Sequence, residues 1–481
     1  MSFQGQQVVL NHSSVNGPYI FGSILYVSLA ISRITHELAI PPQFYSKRRR
    51  SCRRLLYCTF SFGRTSLRNA SITRHARRKY ERMSEHKKWL DTVIPQIIGN
   101  IEPHMEDVCY ELIRDDHRLL TNIFFVCVKY RQRTNGLIKQ LSLVIKKPRG
   151  ITLRDVVYTI PQFRNEILFY KTYCQSSENF PRCFYAYESS SLLACNSVIA
   201  LENVQDRGFK DSPCTFNVPH DYVLAVMRAL GRFHAKGYVM KEKMRTEFFH
   251  LASRFQKIKF IEFKLVKAIL KESAIQVVNY LRDHGHDAHF CDKLEVLFSK
   301  MYEETMLRLF EPAEPLSTIC HGDLTLDNMF FKTQSNGRVD AMLIDFACLT
   351  YNRPVIDLST FLCLSCTNET IRNKLPEILR IYHSALTDYM LQEGVQDIQQ
   401  YSYAAILDDY KRGCLIGFII AAFYLPCMLR HVNFDLTLDI ELSVYKYMSC
   451  KNSSVHKNSV MKILTDLLLQ MHEDGCLDHF L

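Results

Sequence analysis

The part of the sequence that decides the fold reads Cys320-His321-Gly322-Asp323-Leu324-Thr325-Leu326-Asp327-Asn328-Met329-Phe330-Phe331. Two runs with the composition of β-strands, residues 329–332 and 339–344, follow Asn328. The Asn336-Gly337 pair between them is a strong hairpin signal, because both residue types tolerate the positive φ of tight turns. The pattern predicts an antiparallel β-ribbon that the chain enters directly from a polar loop.

The predicted ribbon brings two polar side chains together. Asn328 comes just before the first strand and Asp345 just after the second, so pairing places them at the ribbon's open end, about 5 Å apart across the ladder. Amide and carboxylate oxygens at that separation suit Mg²⁺ carrying ATP phosphates, because the ion prefers hard oxygen ligands and keeps part of its water shell. The sequence therefore predicts a magnesium–nucleotide site at Asn328 and Asp345.

Asp323 lies in the loop just upstream of the ribbon. With His321 and Asn328 it gives the spacing H-x-D-x-x-x-x-N, which is that of kinase catalytic loops. A carboxylate here can accept the proton of a substrate hydroxyl and orient its oxygen toward the γ-phosphate of ATP. The alternative is a polar surface turn that leads into an ordinary hairpin. The order of the flanking strands favours the catalytic interpretation.

Phosphoryl transfer also requires a cation on the nucleotide phosphates, held in place by a carboxylate. Lys146 ends the apolar run 141–145, and Glu166 follows twenty residues later in a predicted helix. This order resembles the strand lysine and helix glutamate of kinases. A lysine at a strand end and a solvated helical glutamate are the ordinary alternatives, and Lys147 could take the place of Lys146.

The region upstream of these residues mixes helix and strand signals. Apolar residues at helical spacing predict one or two amphipathic helices over residues 86–113. The signals that follow are a strand at 123–130, an Asn135-Gly136 turn, a strand at 141–146, a helix at 163–173 and a strand at 198–201 that ends at Glu202. This mixture predicts an α+β lobe.

Beyond Pro219 the pattern is mostly helical, apart from the strand-rich residues 317–346. The apolar run 414–429 is interrupted by a proline and is shorter than the roughly 20 residues that span a membrane, so it predicts a core helix. No transmembrane span is expected. We predict an α+β, two-lobed fold, with a small antiparallel-sheet N-lobe over residues 83–203 and a larger, mostly helical C-lobe over residues 204–481.

The formal net charge of +11 is concentrated at the N-terminus. Residues 1–80 contain thirteen Lys and Arg and one acidic residue, whereas residues 81–481 contain 47 basic and 48 acidic residues. No nucleic acid is therefore expected as a partner of the folded part. Residues 1–82 are predicted to be a basic extension: a transit or anchoring peptide, a disordered arm, or residues outside the functional protein. The last is favoured, because Met83 could itself begin a chain.

The seventeen cysteines are scattered without regular spacing. The one C-x-x-C pair, Cys363 and Cys366, has no second pair to complete a zinc site. Reduced thiols in a cytoplasmic protein are the simpler interpretation, with the cysteines in apolar runs acting as small hydrophobic residues.

Together these residues resemble the insect ecdysteroid kinase-like family, also called CHK kinase-like proteins, which is grouped with choline kinases and aminoglycoside phosphotransferases. The resemblance covers about residues 105–400. It rests on ordered motifs: Val144-Ile145-Lys146, Phe163 to Tyr170, Ile199 to Asn203, Leu230-Gly231-Arg232-Phe233-His234-Ala235, His321 to Phe331, Leu343-Ile344-Asp345-Phe346, Pro354 to Leu358 and Ile381 to Leu386.

The resemblance implies an enzyme that uses ATP and Mg²⁺ to phosphorylate a hydroxyl of a small molecule, such as an ecdysteroid or another lipophilic alcohol. It also implies a set of site residues. These are Lys146 on the α/β-phosphates with Glu166 as its partner, Leu201, Glu202 and Asn203 as the hinge that meets adenine through backbone groups, Asp323 as the base, Asn328 and Asp345 as metal ligands, and His321 and Asp357 as braces of the catalytic loop.

Two departures from the family pattern concern the nucleotide. Residues 114–122, where the phosphate-covering loop is expected, contain two aspartates and no glycine, so backbone approach to the phosphates is harder. Ala347 stands where the family usually has glutamine. These departures motivate the alternative of a kinase-like binding protein without turnover, a pseudokinase. Protein-kinase activity is not expected, because no A-P-E segment follows Asp345.

Overall fold

The structure is a computed structural model that describes residues 68–117, 121–148, 153–174, 179–189, 196–255, 264–429 and 454–481. Most of the predicted basic extension, residues 1–67, lies outside these ranges. The first helix, α1 (Arg68–Ile101), runs through residue 82. The boundary proposed at that residue stays a prediction.

The smaller lobe is built on a five-stranded antiparallel sheet with the order β1-β2-β3-β5-β4. Its strands are β1 (Met105–His117), β2 (Thr121–Gln132), β3 (Ile138–Pro148), β4 (Cys183–Tyr187) and β5 (Val198–Glu202). Apolar residues of α1, including Ile94 and Ile97, form one core with Phe124, Val126 and Ile145 of the sheet. Burial of this helix face against the sheet stabilises the lobe.

The prediction of one or two helices over residues 86–113 is correct up to Ile101 and wrong beyond it. Residues 105–117 form β1, an edge strand in which Tyr110 pairs with Val128 of β2. Val108 and Tyr110 pack against the core, whereas Ile113 is 61% exposed. A short apolar run fits both the helical and the strand period, and the available partner strand decides between them. β4 was not predicted.

The β2–β3 hairpin follows the sequence prediction. Gly136 has φ +70°, which glycine adopts without strain, and its N–H donates to the Gln132 carbonyl at 2.8 Å. The resulting register pairs Ile123 with Lys146. The predicted helix after this hairpin is also present, as α2 (Leu153–Leu168) continued by the π-helical turn Phe169–Tyr173.

The larger lobe is mostly helical. Its longer helices are α3 (His220–Lys243), α4 (Arg245–Arg254), α5 (Lys264–Asp283), α6 (Ala288–Ser299), α7 (Val355–Ser365), α8 (Asn368–Gln392), α9 (Tyr403–Gly413), α10 (Leu415–Met428) and α11 (Ser454–Glu473). Residues 415–426 of α10 are all buried, which confirms the predicted core helix. No helix within the described ranges combines the length and the apolar character that crossing a bilayer requires.

Two β-ribbons interrupt these helices. β6 (Thr318–Cys320) pairs with β9 (Thr350–Asn352), and β7 (Met329–Thr333) pairs with β8 (Val339–Leu343). The β7–β8 pair is the hairpin predicted from Asn336-Gly337, and Gly337 has φ +82°. One hydrophobic core lies between α1 and the sheet, and a larger one fills the helical lobe and extends to α2 and β5. The predicted α+β, two-lobed architecture is confirmed.

Helices α3 and α8 cross so closely at Gly231 that a side chain has no room there. A Cβ at this position would lie 2.5 Å from the Tyr382 carbonyl oxygen and 3.1 Å from the Leu386 nitrogen. Both atoms belong to the α8 backbone, which cannot rotate away as a side chain can. Glycine therefore sets the distance between the two helices.

We expect Gly231→Ala to lower the free energy of unfolding by about 1–3 kcal/mol, because the added methyl group forces the helices apart. Gly99→Ala is the matched control within a helix, since its Cβ would meet only the Met105 Cε atom at 3.9 Å. That change should stabilise the protein by up to about 1 kcal/mol. Urea denaturation measures both effects, and an equal response of the two variants would contradict the close crossing.

Candidate active site

The catalytic loop leaves β6 in a conformation that requires glycine. Gly322 has φ +76°, and a Cβ there would lie 2.1 Å from the Cys348 carbonyl oxygen. The loop thus runs against the 3₁₀ turn Phe346–Cys348 that follows Asp345. This contact brings the loop carrying Asp323 beside the end of β8.

Asp357 braces the loop from the first turn of α7. Its Oδ2 accepts a hydrogen bond from the His321 N–H at 2.6 Å, and its Oδ1 accepts one from the Gly322 N–H at 2.9 Å. Its Oδ2 also contacts His234 Nε2 at 3.0 Å. Burial opposes ionisation of this carboxyl, but the His234 contact and the Gly322 N–H hold the pKa of Asp357 below its ordinary value.

His321, proposed from the sequence as a brace of the loop, contacts two segments of the site. It lies with its Nε2 3.0 Å from the Ile344 carbonyl oxygen, and its Nδ1 accepts from the Asp323 N–H at 3.3 Å. This pattern requires a proton on Nε2 and none on Nδ1. Burial lowers the pKa of His321, in keeping with a neutral ring. The ring joins the catalytic loop to the residue just before Asp345.

His234 is the residue of this site that the sequence reasoning missed. Fully buried on α3, it lies between the Tyr382 hydroxyl at 2.8 Å and Asp357 at 3.0 Å. One ring nitrogen of His234, the Cys320 sulfur and a carboxylate oxygen of Asp357 lie within 4.8 Å of one another. Each of the three makes hydrogen bonds, the thiol to the Asn352 carbonyl at 3.2 Å. These contacts connect the catalytic loop to α3 and α8. They also give a structural explanation for the motifs at residues 230–235 and 381–386, to which the sequence assigned no role.

We expect Asp357→Asn to lower the free energy of unfolding by about 2–4 kcal/mol, because an amide leaves buried donors of the loop without an acceptor. A lowered pKa means that the carboxylate stabilises the fold above about pH 4 and that this advantage shrinks as the pH falls through the lowered value. Denaturant unfolding of the wild type and the variant at several pH values measures this difference.

Asp408→Asn is the control, because Asp408 is exposed and, among the described residues, forms an ion pair only with Arg412 one helical turn away, at 2.8 Å. It should change the free energy of unfolding by no more than about 0.5 kcal/mol. An Asp357 variant as stable as this control would mean that the carboxylate does not hold the loop.

Asp323 and Asn328 lie in contact within the loop. The Asn328 amide donates to the Asp323 carbonyl at 3.0 Å and to its carboxylate Oδ2 at 2.9 Å. The other carboxylate oxygen, Oδ1, is buried and has no hydrogen-bond partner within the described residues. Burial and then repulsion from Asp345 raise the pKa of Asp323 well above its ordinary value, against the effect of the Asn328 amide.

Asp345 follows β8 in a conformation unusual for a residue with a side chain, with φ 65° and ψ 71°. The hydrogen bonds between β7 and β8 continue to Ile344, the residue before Asp345, whose N–H donates to the Asn328 carbonyl at 2.9 Å. Its Oδ1 is buried without a hydrogen-bond partner in the described part of the chain. The next residue, Phe346, stacks on Phe169 with ring centroids 3.7 Å apart and so fixes the turn.

Lys146 and Glu166 form a buried ion pair. Lys146 Nζ lies 2.7 Å from both Glu166 carboxylate oxygens and 3.4 Å from Asp345 Oδ2. Burial works against the charge, but Asp345 and Glu166 together raise the pKa of Lys146, so it stays protonated. Lys147, the alternative left open by the sequence, instead lies over the Trp89 ring at 4.7 Å. The structure thus brings Lys146, and not Lys147, to the end of β8.

The proposed hinge, Leu201 to Asn203, lies at the end of β5. The Glu202 N–H donates to the Arg182 carbonyl at 2.8 Å, and the Asn203 N–H donates to the Ser142 carbonyl at 3.3 Å. The Asn203 side chain also bonds Ser142 Oγ at 3.1 Å. Because both N–H groups already donate within the protein, a purine at this segment would be recognised by other groups.

The two departures from the family pattern have identifiable surroundings. Arg114 Nη2 lies 3.4 Å from Asp116 Oδ2, so one of the two aspartates before the β1–β2 connection is paired. Residues 118–120 of that connection lie outside the described ranges. At Ala347 the backbone carbonyl accepts from the Asn165 amide at 3.2 Å. The contact between α2 and this turn therefore does not involve the side chain at position 347.

The residues at the end of β8 fit a nucleotide carried by a divalent cation. One buried carboxylate oxygen each of Asp323 and Asp345 lacks a hydrogen-bond partner in the described parts of the chain. The Asn328 amide points its nitrogen at Asp323, so its oxygen is turned away from that carboxylate. Oxygen donors of this kind suit Mg²⁺, and the Lys146 ammonium suits phosphate. A two-lobed fold with these groups at the end of the β7–β8 ribbon is that of a kinase-like phosphotransferase.

The sequence matches the ecdysteroid kinase-like family over residues 117–394, which is more than half of the chain. The protein belongs to this family. No curated protein matches the sequence significantly.

Solved structures resemble the fold at low identity. A GDP complex of an aminoglycoside 2'-phosphotransferase-IIIa mutant is 15% identical with a TM-score of 0.36, over 74% of this chain and 94% of that one. A Plasmodium vivax ethanolamine kinase is 14% identical with a TM-score of 0.31, over 81% and 85%. A microcompartment-associated aminopropanol kinase is 10% identical with a TM-score of 0.38, over 80% and 99%. Values this low carry no argument about the substrate of this protein.

Proposed function

We propose that this protein transfers the γ-phosphoryl group of ATP, with Mg²⁺, to a hydroxyl of a small lipophilic molecule. The observation that carries the proposal is the meeting of three elements at the end of β8. Asp345 lies 3.4 Å from Lys146 of the sheet lobe, and Asn328 lies 2.9 Å from Asp323 of the catalytic loop. The groups proposed as the base, the two oxygen ligands and the phosphate-binding cation are thus neighbours, which supports the proposal because phosphoryl transfer requires such groups together.

Asn328 and Asp345 are the proposed metal ligands. The buried Oδ1 of Asp345, which has no partner among the residues that the structure describes, supports this role, because a buried carboxylate oxygen without a donor is unfavourable unless a cation binds it. When bound there, Mg²⁺ neutralises charge on the phosphate oxygens. The left-handed backbone of Asp345 costs free energy and is in keeping with a functional position.

Lys146 is proposed to hold the α- and β-phosphates, with Glu166 fixing its ammonium. The pair is nearly inaccessible, with 5% of Lys146 and 1% of Glu166 exposed, so the lysine cannot turn away to solvent. A fixed ammonium needs little reorganisation when phosphate binds.

Residues 201–203 are proposed as the hinge segment that lies beside the adenine ring of the nucleotide.

Asp323 is proposed to accept the hydroxyl proton and orient the attacking oxygen. The Asn328 amide holds one carboxylate oxygen, and the other is free to face the acceptor. Its raised pKa makes it a better proton acceptor than an exposed aspartate, provided that it is ionised. Neutralisation of Asp345 by a bound cation removes the largest cause of that raised pKa after burial and so favours the ionised form.

The acceptor is proposed to be an ecdysteroid or another hydroxylated lipophile. Family membership supports the class, and the helical region around residues 240–315 is the proposed wall of the acceptor pocket. Every cysteine with a described side chain is a free thiol, which supports a cytoplasmic location as part of the same proposal.

Transfer of label from [γ-³²P]ATP to a panel of ecdysteroids, sterols and simpler lipophilic alcohols tests this function. We expect transfer to at least one hydroxylated lipophile, dependent on Mg²⁺. Labelled ATP that is bound but never transferred to any member of the panel would contradict the proposal.

That negative result would favour a kinase-like binding protein without turnover. The observation behind this alternative is the absence of glycine from residues 114–122. A binding protein should bind the nucleotide equally well as the wild type and as the Asp323→Asn variant, with no product in either case.

A further inference from the structure

A small cavity lies outside the proposed nucleotide site, between α3, β8 and α8. Its volume is about 20 Å³, and its lining includes Arg232, Lys236, Asn179 and Tyr389, with Phe233 and Leu343 among the apolar residues. A cavity of this size holds at least one water molecule and suits a group of a few atoms. It is too small for a nucleotide.

Two cations on α3 face this cavity. Arg232 and Lys236 are one helical turn apart, so their side chains lie on the same face of the helix. Neither makes a hydrogen bond or an ion pair within the described residues, although Lys236 lies 5.7 Å from the centre of the Tyr173 ring. Like charges at this spacing destabilise a helix unless something neutralises them.

The surroundings of the pair are also positive. Burial lowers the pKa of both Arg232 and Lys236, and the charges of Arg338 and Arg228 lower that of Arg232 further. The nearby Asp340 opposes this effect, but it lies 3.4 Å from Arg338 and accepts from Gln334 at 2.6 Å.

Glu393 and Cys174 are the other titratable groups with an influence on Lys236. Glu393 is exposed, and burial raises the pKa of Cys174 to about 11, so its thiol stays neutral. No buried carboxylate within the described residues therefore balances the two cations.

We infer that this cavity is a binding site for a tetrahedral oxyanion, a phosphate group held between Arg232 and Lys236. A guanidinium and an ammonium converging on one small space match the charge and the acceptor geometry of phosphate. Asn179 and Tyr389 add polar groups to the wall. The apolar residues around them leave room only for the charged end of a ligand.

The site is separate from the proposed nucleotide site and adjoins it. Leu343 of the cavity wall lies two residues before Asp345 in the chain. Phe233, also in the wall, stacks near Phe346 with ring centroids 5.9 Å apart. None of Asp323, Asn328, Asp345 or Lys146 lines the cavity.

Calorimetric titration of the full chain with inorganic phosphate, at constant ionic strength set by sodium chloride, tests the inference. We expect saturable binding that weakens at least about tenfold in Arg232→Gln and in Lys236→Gln, because each removes a charge-assisted hydrogen bond. Lys293→Gln is the matched control, since Lys293 is an exposed cation on α6. It should bind phosphate as the wild type does, and Arg232→Lys should recover part of the affinity.

Three results would overturn the inference. They are the absence of saturable binding to the wild type, unchanged binding in both glutamine variants, and loss of binding in Lys146→Met instead, which would assign the phosphate to the nucleotide site. Displacement of phosphate from the wild type by ATP and Mg²⁺ would overturn it too, and that titration needs no variant to fold. None of these results depends on whether the protein transfers phosphate to an acceptor.

A parallel titration with glycerol 2-phosphate distinguishes the source of the group. Affinity equal to that of inorganic phosphate would identify phosphate monoesters as ligands. Binding of inorganic phosphate alone would restrict the site to the free ion.

Discussion

Asp323→Asn is expected to reduce phosphoryl transfer by about 10²–10⁴-fold, the usual contribution of a general base. The variant keeps the local structure, because an amide oxygen can still accept from Asn328 Nδ2, which lies 2.9 Å from the present carboxylate oxygen. It loses the ability to take up the hydroxyl proton. Nucleotide binding is expected to persist, since we assign Asp323 to the acceptor and not to ATP.

The control for this variant is Asp327→Asn, which removes a carboxylate from the same loop. Asp327 is exposed, whereas Asp323 is 1% exposed. Initial rates with an identified acceptor at saturating ATP should be close to wild type for Asp327→Asn and almost absent for Asp323→Asn. Equal rates for the two variants would remove Asp323 from the chemistry.

Asp345→Asn is expected to abolish most of the Mg²⁺ dependence of ATP binding and to slow transfer by at least about a hundredfold. Asparagine tolerates the left-handed backbone of this position, φ 65°, so the change should test charge and not folding. The amide cannot supply the negative charge that Asp345 brings to the proposed pair of metal ligands, and it no longer attracts Lys146 at 3.4 Å.

Asp340→Asn serves as the control from the same hairpin. Asp340 lies on β8, and its partners Arg338 at 3.4 Å and Gln334 at 2.6 Å belong to the hairpin itself. ATP titrations across a range of Mg²⁺ concentrations should separate the two variants. A metal dependence in Asp345→Asn equal to that of Asp340→Asn would mean that the cation binds elsewhere.

The sequence predicted well those features that depend on neighbouring residues. The β7–β8 hairpin follows from its strand runs and its Asn336-Gly337 turn, and the loop before it follows from residue spacing. The order of Lys146 and Glu166 predicted a pair that the structure places at 2.7 Å. Proximity does not establish their roles, which remain proposals.

The sequence predicted poorly those features that depend on distant partners. Residues 108–113 fit a helix as well as a strand, and only pairing with β2 decides for the strand. His234 looked like part of a helical motif, because its partners Tyr382 and Asp357 lie more than a hundred residues away in the chain. The choice between Lys146 and Lys147 required the register of β3 against its neighbours.

A calorimetric titration of the full chain with ATP, in the presence and absence of Mg²⁺, tests whether Lys146 and the residues at the end of β8 form a metal-dependent nucleotide site. We expect one ATP bound per chain, with affinity that falls at least about tenfold without the metal and in Lys146→Met. Lys147→Met should bind as the wild type does, because Lys147 lies over Trp89 and not beside Glu166. Absence of ATP binding, or binding indifferent to both Mg²⁺ and Lys146, would contradict the account.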